Sequence, residues 1–203
     1  MAGRIVVSLG ALVALGGCAL GPRPTLTDER RVDDAAIEAV LTRLDAANGA
    51  TFTAVYTVAS TMQGTPPAEV TVTHSPTETR VVFASDGSVT VEYLTVEGEQ
   101  RTCTAGQAEC VAGHDETRIS NLAITSSFWG ASTAAKLRTD ANRNVADALP
   151  STATLAGQPA TCTAVNVGSP AVAPVEYCAL DTGPLGAYRG ADTVIELVSY
   201  TIS

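Results

Sequence analysis

Residues 51–59 read TFTAVYTVA, with Phe52, Ala54, Tyr56 and Val58 recurring at every second position among threonines and valines. Successive side chains of a strand point to opposite faces, so this spacing puts four apolar groups on one face and predicts a half-buried β-strand. The same period continues downstream at 68–74 (AEVTVTH), 78–84 (ETRVVFA) and 88–97 (SVTVEYLTVE), with shorter runs near 100–104 and 109–112. Turn residues separate the runs: Gly64-Thr65-Pro66-Pro67, Ser75-Pro76 and Asp86-Gly87, the last a tight-hairpin dipeptide. Consecutive strands joined by tight turns predict an antiparallel meander.

On the N-terminal side of this meander the period is helical. Ile37, Val40, Leu41 and Leu44 follow the i, i+3, i+4, i+7 spacing of an amphipathic helix. Asp33 is placed to cap it, Asp34 and Glu38 suit its positive end, and Asn48-Gly49 end it with residues that tolerate the left-handed conformation. On the C-terminal side, about 120–149 breaks the β pattern, and the alanine-rich stretch from Ala131 to Leu149 predicts one or two helices stopped by Pro150. Strands then return at 151–156, 160–168, 174–181, 185–189 and 192–202. Helix, strands, helical insertion and strands make an α+β chain.

The first residues follow different rules. Arg4 and the uncharged run from Ile5 to Leu15 have the make-up of a signal peptide. The run is too short for a spanning helix, which needs about 20 apolar residues. Leu15-Gly16-Gly17-Cys18 resembles the lipobox of bacterial lipoproteins, whose small residues precede a cysteine that receives diacylglycerol. The expected organisation is a signal peptide at 1–17, a lipidated tether at 18–31 that is proline-containing and without periodicity, and a single domain at 32–203. Cys18 is the expected lipidation site, which anchors the exported chain to the outer face of the cell membrane. The formal charge of -9 argues against nucleic acid, whose phosphates need a basic face.

Five cysteines are an odd number, and assigning Cys18 to lipid leaves Cys103, Cys110, Cys162 and Cys178 for two disulfides in an oxidising envelope. Four cysteines allow three pairings. Cys103 and Cys110 flank a hairpin-like loop, and Cys162 and Cys178 lie symmetrically about Gly168-Ser169-Pro170, which favours 103 with 110 and 162 with 178. Close CxxC pairs for zinc or redox work are absent. His74 and His114 read as two solvated loop histidines. No nucleophile elbow, phosphate loop or zinc-protease motif occurs, so no catalytic residue, metal or cofactor is expected.

Strand faces carry the remaining signal. Val89, Val91 and Tyr93 share a face of their strand, whereas Val55, Leu94, Ile195 and Leu197 are read as apolar groups on the opposite faces. A sheet apolar on both faces suits a structure that encloses a pocket under helices. Phe52, Tyr56, Val91, Tyr93, Phe128 and Trp129 are the candidate ligand-binding residues, the last two at the edge of the helical insertion. This order of elements, with the lipobox, the 51–59 strand, the Gly157-Gln158-Pro159 to Cys162 segment, Glu176-Tyr177-Cys178 and the terminal IELVSYTIS strand, resembles the LolA/LolB-type half-barrel. Within that group it resembles the actinobacterial LppX/LprG-like lipoproteins. The resemblance implies a curved antiparallel sheet with helices packed on its concave face around a cavity for acyl chains. It also implies a non-enzymatic, membrane-tethered protein that binds a lipid or other apolar ligand and passes lipid or lipoprotein across the envelope. The other expectation is an envelope protein-interaction or stress-sensing module with the same fold, no bound ligand and an unknown protein partner.

Overall fold

A computed structural model describes residues 34–61, 64–144, 146–167 and 173–202. The signal peptide, Cys18, the tether, Asp33 and the Gly168-Ser169-Pro170 turn lie outside the described residues. Within them the order is α1 (Ala35–Ala46), β1 (Phe52–Ser60), β2 (Ala68–His74), β3 (Glu78–Ser85), β4 (Ser88–Val96), β5 (Glu99–Thr104), β6 (Val111–Ala112), α2 (Ala131–Ala141), β7 (Leu149–Leu155), β8 (Gln158–Val165), β9 (Val175–Leu180), β10 (Leu185–Arg189) and β11 (Thr193–Ile202). Short 3-10 turns occupy Ala47–Gly49 and Glu116–Leu122.

All eleven strands form one antiparallel, curved and unclosed sheet in the order β6-β5-β4-β3-β2-β1-β11-β10-β9-β8-β7. It is therefore two meanders, β1 to β6 and β7 to β11, joined where β1 pairs with β11 from Phe52↔Ile202 to Ser60↔Thr193. The half-barrel anticipated from the sequence is the observed architecture. Phe52, Ala54, Tyr56 and Val58 are all fully buried, as the period-two reading of β1 requires. The hairpin at Asp86-Gly87 has positive φ at both residues, the requirement of a type I′ turn, and Glu97-Gly98 and Ala156-Gly157 repeat it.

Helix α1 buries Ile37, Val40, Leu41 and Leu44 against α2 and the β7 to β9 meander. Its cap is Asp34, whose Oδ1 accepts the N–H of Ala36 at 2.8 Å and of Ile37 at 3.4 Å. Asp34 Oδ2 accepts from Ala148 N at 3.0 Å, so one carboxylate fixes both the start of α1 and the approach to β7. The helix ends through a 3-10 turn, and neither Asn48 nor Gly49 adopts positive φ.

Three expectations change. α2 stops at Ala141 instead of reaching Leu149, and Leu149 and Pro150 begin β7. The reason is tertiary: Asn144 bridges to Val167, and its side chain accepts the N–H of Asn166, which turns the chain toward the sheet. Pro150 is tolerated because β7 is an edge strand, where a missing donor breaks no central ladder. Val89 does not share the buried face of Val91 and Tyr93, because a register shift between Phe83 and Ala84 turns it outward to 48% exposure. Ile195 and Leu197 belong to the core face, beside Thr193.

Candidate functional site

The segment 123–130 leads from the second 3-10 turn into α2 and drives Phe128 and Trp129 against the middle of the sheet. Phe128 meets Tyr56 edge-on with ring centroids 5.1 Å apart, and Trp129 meets Phe52 at 5.5 Å. Thr133 Oγ1 donates to the carbonyl of Phe128, and Trp129 O accepts from Leu185 N at 2.8 Å. Tyr56 donates to the carbonyl of Leu185 at 2.9 Å, and burial holds its phenol well above the ordinary range. Phe52, Tyr56, Val91, Tyr93, Phe128 and Trp129 are all buried. The structure brings Phe52 with Trp129 and Tyr56 with Phe128 and places Tyr93 against Phe83 and His114. These side chains are buried between the sheet and the elements that cover it.

Three of the openings among the described residues lie beside this packing. An apolar one of about 290 Å³ lies between Ile124, Phe128 and Thr133 on one side and Tyr188, Thr193 and Ile195 on the other, with Lys136 at its rim. A charged one of about 650 Å³ shares Lys136, Tyr188 and Asp192 and adds Asp140, Arg143, Glu176 and Arg189. A polar one of about 430 Å³ is lined by Thr79, Tyr93, Thr95, Gln100, His114, Glu116, Ser126 and Trp129, among others. Of the residues singled out in the sequence, Phe128 lines the first and Tyr93 and Trp129 the third; Phe52, Tyr56 and Val91 line none of the three.

Lys136, the chain's sole lysine, lies 3.5 Å from Asp140 Oδ2 and 5.8 Å from the centroid of the Tyr188 ring. Burial works against its charge, but Tyr188 and Asp140 more than offset that cost and hold its pKa above the ordinary value. Asp140 is nearly inaccessible, yet it accepts a hydrogen bond from the Tyr177 hydroxyl as well as facing the ammonium. Burial first, and then that carboxylate, push the Tyr177 phenol upward. A buried charge is tolerated only when paired and hydrogen-bonded, and Asp140 is both. The sequence reading missed this group. Ser132, Thr133, Lys136 and Asp140 recur at helical spacing on α2, which is the signal that marks its polar inward stripe.

The histidines differ from the solvated residues expected. His74 is 6% exposed, with Nδ1 2.7 Å from Thr79 Oγ1 and Nε2 3.2 Å from the carbonyl of Asn48. It packs on Trp129 at 4.4 Å and Phe52 at 5.4 Å. Desolvation lowers its pKa, and the Asn48 carbonyl opposes that shift only in part. His114 is tied through Nε2 to the carbonyl of Leu94 at 3.1 Å and through Nδ1 to Ser126 Oγ at 3.0 Å. Ser126 also donates to Glu116 Oε1 at 2.7 Å. This His-Ser-Glu group lacks the order of a catalytic triad, since the serine, not the histidine, contacts the carboxylate.

Cys103 is bonded to Cys110 and Cys162 to Cys178. Cys162 and Cys178 are register partners across β8 and β9, and both are buried. Glu176 lies close to their sulfurs, but both sulfurs are in the disulfide, so no thiolate is offered to a metal.

No protein-family profile matches the chain, and no curated protein matches its sequence. Solved structures do. One is MucB, 16% identical, with a TM-score of 0.54 over 84% of this chain and 60% of that one. Its fold is similar to that of MucB. The Pseudomonas aeruginosa MucA/MucB complex matches at 14% identity and a TM-score of 0.53, over 82% of this chain and 56% of that one. The chain thus spans 56 to 60% of the MucB chains it matches. Lipoprotein LppX of Mycobacterium tuberculosis also matches, at 15% identity and a TM-score of 0.42, over 82% of this chain and 93% of that one.

Proposed function

We propose that this protein binds the apolar part of a lipid-like ligand in the opening between α2 and the β10–β11 pair, and that it does so at the outer face of a membrane, held there by a lipid on Cys18. The observation that carries the reading is the lining of that opening. Ile124, Phe128, Tyr188 and Ile195 give it apolar walls, and Lys136 stands at the rim. Its volume of about 290 Å³ lies at the lower end of ligand pockets, about 300–1,000 Å³, which suits one alkyl chain better than a multi-chain lipid. Burial of apolar ligand surface supplies about 25 cal/mol per Å². Among the described residues no helix is long and apolar enough to cross a membrane, which is compatible with anchoring through lipid.

A fluorescent fatty acid tests it. Saturable binding to the wild-type protein, abolished by Ile124→Trp at the half-buried wall, is the expected result. No saturable binding, or binding that Ile124→Trp leaves unchanged, overturns the reading. Transfer of lipid between membrane layers would follow only from binding of this kind.

A second reading has its own support. Phe52, Tyr56 and Val91 are buried and line none of the openings described above, and MucB has been solved in complex with MucA. In this reading the half-barrel is a scaffold that presents its surface to a protein partner in the envelope. Specific cross-linking of one membrane partner in cells, together with failure of the fatty-acid test, selects it.

A further inference from the structure

The apolar and the charged opening meet at three side chains that line both: Lys136 on α2, Tyr188 on β10 and Asp192 in the turn before β11. Tyr188 is held in place on several sides. Its ring packs edge-on to Tyr177 with centroids 5.1 Å apart, and the Lys136 ammonium lies 5.8 Å from its centroid. Its hydroxyl end abuts Gly190, where a Cβ would overlap it, so the ring reaches from Lys136 to the turn that carries Asp192. A head group at the mouth of the apolar opening therefore meets one ammonium and one carboxylate beside a fixed ring.

Both charges have capacity to spare. The Lys136 side chain is 50% exposed and faces Asp140 at 3.5 Å, whereas Asp140 is 6% exposed and already accepts from the Tyr177 hydroxyl. The accessible member of that pair is the ammonium, with three donors to give. Asp192 is exposed, and only its backbone carbonyl is used, by Thr61. Its carboxylate has no hydrogen-bond or ion-pair partner among the described residues. The other charges of the larger opening stand apart from this seam. Arg189 is tied to Glu176 and Glu196, and Arg143 lies beyond the end of α2 and lines only the charged opening.

These two charges restrict the head group. An anionic head would satisfy Lys136 and meet a like charge at Asp192, and a cationic head would do the reverse. A neutral head would leave both unused. A head that carries one anionic and one ammonium group complements both. Given the reading that the apolar opening takes an alkyl chain, on which this step rests, we infer that the protein selects a single-chain amphiphile with a zwitterionic head. The anionic group of that head lies on Lys136 and its ammonium group on Asp192.

Calorimetric titration of the full-length protein with three lipids of the same lauroyl chain reads the head apart from the tail. The lipids are lysophosphatidylethanolamine, which is zwitterionic, lysophosphatidylglycerol, which is anionic, and the neutral monoacylglycerol. The zwitterionic lipid is expected to bind about fivefold tighter than either of the others, the scale of charge pairs between partly exposed groups. Lys136→Met is expected to abolish the preference over monoacylglycerol, and Lys136→Arg to retain it. Asp192→Asn, which keeps the backbone contact to Thr61, is expected to abolish the preference over lysophosphatidylglycerol. Circular dichroism checks that each variant is folded. Equal affinity for the three lipids, or a preference that survives either Lys136→Met or Asp192→Asn, overturns the inference and leaves the apolar site standing. Binding of none of the three overturns the apolar site itself, and the inference with it.

Discussion

His74 shows what one buried imidazole does to a small core. Its ring is held between Thr79 and the Asn48 carbonyl and stacked against Trp129 and Phe52, with no carboxylate among these neighbours. Burial lowers its pKa below the ordinary 6.5. In the unfolded chain the imidazole takes a proton as the pH falls through 6.5, whereas the folded protein resists doing so. The unfolded state then binds more protons, and stability drops with pH. The contribution is complete above pH 6.5 and declines below it, toward the lower folded pKa. The urea midpoint of the wild type should thus fall between pH 6.5 and pH 5 more steeply than that of His74→Gln, with the denaturant slope unchanged. Equal pH dependence in the two proteins would refute this role. Only its face was legible in the sequence, where His74 follows Val70 and Val72 at every second position but, ending a strand beside Ser75-Pro76, looks like a surface residue. Its burial comes from Asn48 and Trp129, groups far from it in the chain, and period-two alternation does not say what covers a face.

At the scale of elements, α1 and the sheet-forming strands could be read directly because their apolar spacing agrees with their burial. Helix α2 was read too long, since alanine-rich residues after Ala141 have good helical propensity and only the tertiary bridge of Asn144 to Val167 redirects them. The register shift that exposes Val89 has the same character: one extra residue in a strand leaves no mark in composition. Asp34 joins the two levels, because it caps α1 and holds Ala148 at the entry to β7. Asp34→Ala removes the cap, worth about 1 kcal/mol, and also leaves the Ala148 N–H without its acceptor, for about 1–3 kcal/mol more. Asp34→Asn keeps one acceptor oxygen for the cap but turns a donating amide toward the Ala148 N–H, so it should lose less than Asp34→Ala by the share of the cap alone. Urea unfolding of the two variants checks the order, and equal losses would show that the cap contributes nothing.

For the whole molecule, the two disulfides divide along the same line as the sheet. Cys103–Cys110 staples the β5 end of the first meander, with a sequence separation of 7, and Cys162–Cys178 staples β8 to β9 in the second, with a separation of 16. Neither crosses the β1–β11 junction. Chain entropy assigns about 3 kcal/mol to a closed loop of about 15 residues and less to a shorter one. Cys162→Ala/Cys178→Ala should therefore lower the unfolding free energy by more than Cys103→Ala/Cys110→Ala, the more so because the former sulfurs are buried. Calorimetry of both variants tests this, and the reverse order would contradict it. The strand sequence around both pairs was readable from spacing. The pairing of β1 with β11 was not, because alternation identifies strands and is silent on which of them become neighbours. The aromatic residues at the centre were likewise recognisable as inward-facing, but whether they line a space or fill it depends on how deeply Phe128 and Trp129 descend.

That central junction sets a timetable. Residue 52 pairs with residue 202, so the middle of the sheet closes only after every other strand has been made. Contacts of such long separation form late, once the loop-closure cost has been met. Until then a growing chain carries its first meander with β1 as a bare, apolar edge, a surface open to the β11 of another copy. Crowded nascent chains would exchange that strand between molecules, so a chaperone that shields residues 52–60 during synthesis would raise the yield of monomer.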